Sequence, residues 1–271
     1  MGKIFKALEK SERINRELFA EIEGKRAADN FSVHKLSTDP EADQEFELPG
    51  NLDSSIVTHL KPHFLEAEQF RILKTTILFP IKGTPPRTIM VTSTAPGEGK
   101  SFVSSNMAVS IAKSIDEYVL LMDCDLRLPS LHKRFGFSDI PGLSEYLVEG
   151  KPLGSFLRKT SIDKLSLLPA GKPPSNPSEL ISSDQMRRLI HEVKNRYEDR
   201  YIIIDSPPPY LTSEANALAR QVDGIIIVIK TGKTKTSDVQ NLIDTYGEEK
   251  ILGVVKNFAE HKRGFKKYQY K

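Results

Sequence analysis

Short, almost continuous apolar runs alternate with amphipathic segments through most of the chain. The runs are rich in isoleucine, valine and leucine and predict strands near residues 87–93, 118–123, 165–168, 201–205, 223–230 and 251–256. Apolar positions at helical spacing predict helices near residues 63–79, 100–114, 130–135, 142–148, 183–197, 214–220 and 236–246. Apolar strands that alternate with helices are typical of an α/β fold with a mostly parallel sheet and helices on both faces.

The first 62 residues do not follow this alternation. Residues 1–22 carry apolar side chains at roughly helical spacing, which predicts an amphipathic helix that is either solvated or docked on a partner. Residues 23–62 are polar and acidic and are interrupted by Pro40, Pro49 and Gly50, which predicts a flexible linker. The predicted organisation is therefore a helical N-terminal extension, a linker, one α/β domain over residues 63–260 and a basic tail over residues 261–271.

The segment between the first long strand and the next helix has the composition of a phosphate-binding loop. It reads Thr94-Ala95-Pro96-Gly97-Glu98-Gly99-Lys100-Ser101-Phe102. Glycine lets backbone approach a ligand closely, and the N–H groups at a helix start attract phosphate. We expect residues 95–102 to hold a nucleotide, with Lys100 on its β- and γ-phosphates and the Ser101 hydroxyl on Mg²⁺. Thr94 stands where the common motif has glycine, so the match rests on Gly-Lys-Ser and its context.

Two other strands end in carboxylates. Asp123 and Asp125 end the run that begins at residue 118, with Arg127 close behind, and Asp205 ends the run at residues 201–205. In an open parallel sheet, ligands bind outside the carboxyl ends of the strands, so these side chains are expected to share one edge with the phosphate-binding loop. Carboxylates suit Mg²⁺, with Ser101, Asp123 and Asp205 as candidate ligands. The sequence therefore predicts a Mg·ATP site on a P-loop NTPase fold.

Composition indicates where in the cell the protein works and which partners are not expected, and it does not change the interpretation of the site. The chain has 271 residues, 28% of them charged, and a net charge of +3, which is too small to indicate a nucleic-acid partner by itself. The single cysteine, Cys124, fits a reducing cytoplasm. No apolar run approaches 18 residues, and the N-terminus is too polar for a secretion signal. We therefore expect a cytoplasmic protein that meets the inner membrane only peripherally, through a partner.

The three site segments together resemble the cytoplasmic kinase domain of bacterial protein-tyrosine kinases, which regulate capsular and exopolysaccharide production. The resemblance covers residues 63–271 and rests on Thr-Ala-Pro-Gly-Glu-Gly-Lys-Ser, Met-Asp-Cys-Asp-Leu-Arg-Leu-Pro and Ile-Ile-Ile-Asp-Ser-Pro-Pro. The N-terminal Met-Gly-Lys-Ile-Phe-Lys-Ala-Leu-Glu-Lys is similar to members associated with exosortase-linked polysaccharide loci. The resemblance implies an ATP-dependent tyrosine autokinase that regulates exopolysaccharide synthesis or export.

Within that resemblance, the carboxylates acquire roles. Asp123 is the first candidate to orient or deprotonate the attacking tyrosine hydroxyl, and it is also a candidate ligand of Mg²⁺. Asp125 is the second candidate for either role. Arg127 either steadies phosphate charge or pairs with Asp125. The expected phosphate acceptors are Tyr268 and Tyr270 in the basic tail, although such a tail also fits a disordered end or an anionic surface.

Two departures from related patterns bear on assembly. The ParA/MinD-like ATPases that partition plasmids or position division carry a lysine five residues before the phosphate-binding lysine, and this chain has Ala95 there. The kinase family often carries Glu-x-x-Arg-x-x-Arg before the phosphate loop, a signature of ring-shaped oligomers. This chain has Glu68, Arg71 and Lys74, and lysine lacks the planar fork of arginine. We expect self-association through this helix, weaker than in a ring with two arginines.

The resemblance also implies partners. A membrane polysaccharide co-polymerase would activate the kinase, a tyrosine phosphatase would reverse its product, and a homo-oligomer would bring tails to neighbouring sites; no nucleic acid is expected. The alternative functions are an ATPase switch that positions cargo without kinase activity and a nucleotide-binding regulator that has lost catalysis.

Overall fold

The computed structural model describes residues 50–81, 83–196, 200–209 and 213–259. The predicted helix over residues 1–22, most of the predicted linker and the tail tyrosines Tyr268 and Tyr270 lie outside these residues. The described residues therefore comprise most of the predicted α/β domain and the segment just before it.

Seven strands form one sheet among the described residues. They are β1 (Thr88–Ser93), β2 (Tyr118–Asp123), β3 (Arg158–Lys159), β4 (Leu165–Leu168), β5 (Arg200–Asp205), β6 (Gly224–Lys230) and β7 (Ile251–Asn257). Their order across the sheet is β3-β4-β2-β5-β1-β6-β7, and every pair is parallel except β3 with β4. The predicted mostly parallel sheet is confirmed, and β1 lies between β5, with its terminal carboxylate, and β6.

The helices connect these strands and cover both faces. They are α1 (Val57–Leu60), α2 (Leu65–Leu78), α3 (Lys100–Ala112), α4 (Leu131–Arg134), α5 (Leu143–Glu149), α6 (Pro177–Ile181), α7 (Asp184–Arg196), α8 (Glu214–Ala219) and α9 (Thr236–Tyr246). The bounds of the predicted helices and strands agree with the structure to within two residues. None of the described helices is long and apolar enough to cross a membrane.

The core consists of two layers because successive strand residues point to opposite faces of the sheet. On one face Val91, Leu121 and Ile203 pack with residues of α1 to α4. On the other face Met122 and Ile204 pack with residues of α5 to α9. Burial on both faces explains why these strands are apolar at nearly every position, which is the pattern that predicted them.

The linker prediction is wrong for residues 50–62. Gly50 donates its N–H to the carbonyl of Gly136 at 2.7 Å, and Ile56 is fully buried. The amide of Asn106, in the middle of α3, accepts the Thr58 N–H at 3.0 Å and donates to the Ser55 carbonyl at 2.8 Å. Polar composition suggested a linker, but a few anchoring contacts with α3 and α4 are enough to order this segment.

Two further elements were not predicted. α6 begins after Asn176 with Pro177 at its first position, which proline tolerates because the first N–H of a helix needs no partner. β3 is two residues long and antiparallel to β4, at the edge of the sheet. Both elements are too short to give a periodic signal.

Candidate active site

The loop between β1 and α3 has the backbone geometry of a phosphate-binding loop. Gly97 and Gly99 have positive φ angles of 74° and 95°, which side chains with a Cβ rarely adopt. A Cβ on Gly99 would also lie 2.0 Å from the Asn257 Nδ2 atom and would displace that amide, so glycine is favoured here by both conformation and contact. Gly99 is also the N-cap of α3, whose first residue is Lys100. The free N–H groups of the first turn therefore face the end of β1, where an anion is stabilised.

The Glu98 side chain braces this loop from inside. It is only 4% exposed, and its carboxylate accepts hydrogen bonds from the Thr94 hydroxyl at 3.0 Å and the Ala95 N–H at 2.9 Å. The Thr234 hydroxyl, in the loop after β6, also donates to this carboxylate. Glu98 was predicted among the nucleotide-binding residues of the loop. Its carboxylate fixes the conformation of the loop from inside, and Thr94, in the place of the usual glycine, supplies one of the donors.

Lys100 and Ser101 open α3 directly beside the strand-end carboxylates. Lys100 is 7% exposed. Its ammonium partly offsets the burial that raises the pKa of Asp125, and it does the same for Asp205 together with the Ser101 hydroxyl. Lys100 therefore lies close enough to act on the pKa of both carboxyl groups, and Ser101 on that of Asp205.

Asp205 is the most exceptional side chain of the site. It is fully buried, and neither of its carboxylate oxygens has a hydrogen-bond partner of normal geometry among the described residues. Burial raises its pKa to about 6. A buried carboxylate without partners is costly, and both oxygens are available to a cation or to water molecules around it. The described residues hold no cluster of three or more metal-ligating side chains, so such an ion would depend on Asp205, Ser101 and phosphate oxygens.

Asp123 is placed beside Asp205 but is engaged differently. The two residues are register partners on β2 and β5. One Asp123 oxygen accepts the N–H groups of Ser130 and Leu131 at 3.1 and 3.0 Å, and the other accepts that of Asp125 at 3.2 Å. Burial and the Asp205 charge raise the pKa of Asp123 to about 8. Asp123 therefore fixes the loop after β2 and the start of α4, and this geometry does not favour it as the base for a tyrosine hydroxyl.

Asp125 has the more suitable position for that role. It is half-buried, and one of its oxygens accepts the Leu128 N–H at 3.2 Å. Burial raises its pKa, with Lys100 acting in the opposite direction. The second candidate of the sequence analysis is therefore better placed than the first.

Arg127 does not pair with Asp125. Its guanidinium donates to Glu214 at 2.9 Å and to the Ser178 hydroxyl at 3.1 Å. Glu214 is 1% exposed and begins α8, so the contact joins the loop after β2 to two helices on the same face. The pairing alternative for Arg127 named the wrong carboxylate, and Glu214 was missed because it lies far away in the sequence.

Asn257 is a second residue that the sequence analysis missed. It ends β7, and its amide donates to the Glu98 carbonyl at 3.0 Å. A polar residue at the end of an apolar strand is the same signal that identified Asp123 and Asp205, so it was open to the same reasoning.

The residues predicted for self-association lie on α2. Arg71 pairs with Glu68 at 2.7 Å and donates to the Pro62 carbonyl at 3.0 Å, while Lys74 is half-buried. Beside them α2 and β7 line a groove of about 720 Å³. Its walls include exposed apolar side chains: Ile72, Phe79, Ile81, Leu252 and Val254.

The fold and this loop define a P-loop nucleotide-binding domain, and the comparisons with known proteins agree. The family model described as "ParA: NUBPL iron-transfer P-loop NTPase" matches residues 85–268. The tyrosine-protein kinase YwqD of Bacillus subtilis is 31% identical over 208 residues, which are 76% of this chain and 86% of that protein. The kinase domain of Escherichia coli tyrosine kinase ETK superimposes with a TM-score of 0.70 at 28% identity and covers 84% of this chain and 90% of that chain.

The chain therefore belongs to the family of bacterial tyrosine-protein kinases, within the ParA-type P-loop NTPases. Relatives differ in length around this shared domain. The tyrosine-protein kinase wzc of Salmonella typhimurium is 29% identical over 77% of this chain, but the match spans only 29% of that protein. The family model covers the phosphate-binding loop and the carboxylates Asp123, Asp125 and Asp205, whereas the α2 residues lie before its first matched residue.

Proposed function

We propose that this kinase transfers the γ-phosphate of Mg·ATP to Tyr268 and Tyr270 of its own tail. The observation that carries the proposal is Asp205, a fully buried carboxylate beside Ser101 and Lys100 whose oxygens accept no hydrogen bond of normal geometry among the described residues. Keeping such a carboxylate ionised in a protein interior costs roughly several kcal/mol, even after the surrounding protein has relaxed, unless a cation binds to it. The cost is understandable if the site is built around Mg²⁺ and nucleotide phosphates.

Binding would use the backbone first. The N–H groups at the start of α3 and the Lys100 ammonium would neutralise the β- and γ-phosphates, while the hydrogen bonds of Glu98 keep the loop in one conformation. When bound, Mg²⁺ supplies positive charge to the phosphate oxygens. Ser101 and Asp205 are the residues that would hold it, directly or through water.

The transfer step needs alignment and charge neutralisation more than covalent chemistry. The tyrosine oxygen would bond to the γ-phosphorus as the bond to the bridging oxygen of the departing diphosphate breaks. Asp125 would accept the phenolic proton. Because an ordinary tyrosine has a pKa of about 10, a carboxylate accepts this proton late, as the new bond forms. Burial raises the pKa of Asp125, which makes it a stronger base than an exposed aspartate.

The tail suits the acceptor role by composition. Tyr268 and Tyr270 stand among Lys262, Lys266 and Lys267, and the site presents acidic groups at the carboxyl ends of β2 and β5. Opposite charge favours docking of an unphosphorylated tail. Each phosphate adds about −1.5 to −2 charge at neutral pH, so modification would weaken docking and release the product.

The biological setting follows from the resemblance. We propose that the kinase regulates exopolysaccharide synthesis or export, with a membrane polysaccharide co-polymerase as activator and a tyrosine phosphatase as antagonist. The membrane partner would hold the kinase peripherally at the cytoplasmic face of the inner membrane.

Phosphotyrosine formation tests the proposal directly. Purified protein incubated with Mg·ATP should gain phosphate on Tyr268 and Tyr270, detected by mass spectrometry, and the Tyr268→Phe/Tyr270→Phe double variant should lose that signal. Mixing a Lys100→Met full-length chain with an active chain that lacks residues 262–271 should label the intact tail if transfer occurs between subunits. Phosphate release without phosphotyrosine would replace the kinase with an ATPase switch, and phosphate on other residues only would overturn the tail assignment.

We further propose that α2 and the adjoining groove mediate self-association. Glu68 and Arg71 are three residues apart and share one helix face with Lys74. The groove beside them exposes Ile72, Phe79 and other apolar side chains that water covers in a single chain. An apolar surface bordered by charged side chains has the composition expected of a protein–protein interface.

Replacing Glu68, Arg71 and Lys74 together by alanine should lower the mass measured by light scattering at micromolar concentration. The interaction is partly ionic, so raising salt from 0.05 to 0.5 M, about a threefold change in screening length, should weaken the wild-type assembly as well. The matched control is a triple alanine variant of three exposed α7 residues, Arg187, Arg188 and Glu192, which should keep the wild-type mass. A monomeric wild type, or an unchanged mass in the α2 variant, would exclude this surface.

A further inference from the structure

Among the described residues, one exposed aromatic ring lies beside the phosphate-binding loop. Phe258, directly after β7, is 56% exposed, and its ring edge is 3.6 Å from the position that a Gly99 Cβ would occupy. The other large exposed aromatic side chains of the described residues are elsewhere. Phe64 precedes α2 and Phe79 follows it. Tyr118 begins β2, at the amino-terminal ends of the strands and therefore opposite the site. An exposed apolar ring at this place either has no function or contacts an apolar part of a ligand.

The backbone at Phe258 favours the second explanation. Its φ angle is +56°, in the left-handed region that bulky residues rarely adopt. Such backbone strain persists only when surrounding contacts enforce it, and it is concentrated at sites that hold ligands. Here the enforcing contact is local: the Asn257 side chain accepts the Phe258 N–H at 2.9 Å.

Asn257, the residue before Phe258, is hydrogen-bonded both to the phosphate-binding loop and to the loop after β6. Asn257 donates to the Glu98 carbonyl at 3.0 Å, and its own carbonyl accepts the Thr231 N–H at 3.0 Å and the Thr231 hydroxyl at 2.9 Å. The Lys230 ammonium lies 4.6 Å from the centre of the Phe258 ring. The ring is therefore held at a fixed position relative to the loop that would bind phosphate.

The strand order shows which part of a nucleotide would reach this ring. β1 and its loop lie between β5, which carries Asp205, and the pair β6–β7, which ends in Phe258. A nucleotide with its metal-bound terminal phosphates toward Asp205 must extend the rest of its structure away from β5. The side that remains leads toward the end of β7, where apolar surface is exposed.

We propose that the Phe258 ring is the stacking platform for the purine base of the bound nucleoside triphosphate. The proposal rests on the proposed function, since it concerns the same nucleotide. Base–aromatic stacking tolerates any purine because each has a π-face, so the platform sets affinity rather than a choice between adenine and guanine. Lys230 would support the ring from the protein side through its cation–π contact.

The chain contains no tryptophan, which gives a direct reporter. In Phe258→Trp the only indole of the protein would stand at the platform, and titration with Mg·ATP should quench its fluorescence as the base stacks. Inorganic tripolyphosphate with Mg²⁺ has no base and should leave the emission nearly unchanged. The control is Tyr118→Trp, an exposed ring at the amino-terminal end of β2 and away from the phosphate-binding loop, whose emission neither ligand should quench.

Calorimetry supplies an independent measurement on the native ring. Phe258→Ala should weaken Mg·ATP and Mg·GTP about 5- to 150-fold and leave tripolyphosphate affinity within about twofold of wild type. Equal ATP affinity in Phe258→Ala, or an equal loss for ATP and tripolyphosphate, would overturn the platform. A wild type that does not bind Mg·ATP would overturn the proposed function and the platform together, whereas binding without quenching in Phe258→Trp would overturn the platform alone.

Discussion

Replacing Lys100 with methionine should reduce Mg·ATP affinity at least about 100-fold while leaving the protein folded. The ammonium is nearly buried at the start of α3. There it lies close enough to Asp125 and to Asp205 to lower the pKa of both carboxyl groups. A charge-assisted contact with phosphate is worth about 1.5–3 kcal/mol, and here the lost charge also leaves two carboxylates facing the incoming phosphates. Methionine keeps the length and the apolar stem but not the charge.

Two readouts separate a binding defect from a folding defect. Calorimetric titration measures Mg·ATP affinity, and circular dichroism with thermal unfolding measures the fold. The control is Lys159→Met, which removes an exposed lysine from the edge strand β3 and should behave as wild type in both. Wild-type affinity in folded Lys100→Met protein would contradict the assignment of the loop, and phosphotyrosine formation by that variant would contradict the proposed mechanism.

The sequence predicted the sheet and the position of the site because both depend on local patterns. Strands buried on both faces must be apolar throughout, and polar residues at their ends must emerge at one edge of a parallel sheet. Asp123 and Asp205 were therefore expected to meet, and the register of β2 and β5 makes them direct neighbours. The family resemblance added the kinase activity, which the geometry alone does not distinguish from other phosphoryl chemistry.

The parts that the sequence did not predict depend on which side chains meet in three dimensions. Arg127 has two acidic residues near it in sequence but pairs with Glu214 across the fold. Asp123 has the sequence position of a catalytic base, yet three backbone N–H groups occupy its oxygens. The segment around Ile56 looked like linker because its composition is polar, while its order comes from a side chain, Asn106, on a distant helix.

The paired carboxylates at the ends of β2 and β5 should make the ligand-free protein less stable as pH rises from 6 to 8. Burial and the Asp205 charge raise the pKa of Asp123 to about 8, while burial and the Asp125 charge raise that of Asp205 to about 6, both above the usual value for aspartate. A group whose pKa is raised by folding binds its proton more tightly when folded, so its stabilising effect is complete at acid pH. That effect is lost as pH rises through the folded pKa.

Neutralising one member of the pair should remove much of this loss. Asp205→Asn should raise the free energy of unfolding of the ligand-free protein at pH 8 relative to wild type, because it removes the charge that helps to raise the pKa of Asp123, the group that titrates near pH 8. The advantage should grow between pH 6 and 8 by less than the about 2.7 kcal/mol of one whole proton, because burial still raises the pKa of Asp123 in the variant. His59 and His132, whose pKa values burial lowers, change stability in the opposite direction over the lower part of this range. Because both proteins contain these histidines, the difference between variant and wild type isolates the carboxylates.

Urea denaturation at pH 6, 7 and 8, without metal or nucleotide, measures this difference, with Asp116→Asn at an exposed position as the control that should show none. The same Asp205→Asn protein should lose Mg²⁺-dependent nucleotide binding and phosphotyrosine formation, because asparagine offers the cation a neutral oxygen instead of a charged one. A variant that is no more stable than wild type at pH 8 would show that ionisation of the Asp123–Asp205 pair does not lower the free energy of unfolding. Gained stability together with lost activity would identify Asp205 as a residue whose unfavourable burial the fold tolerates for the sake of its ligand.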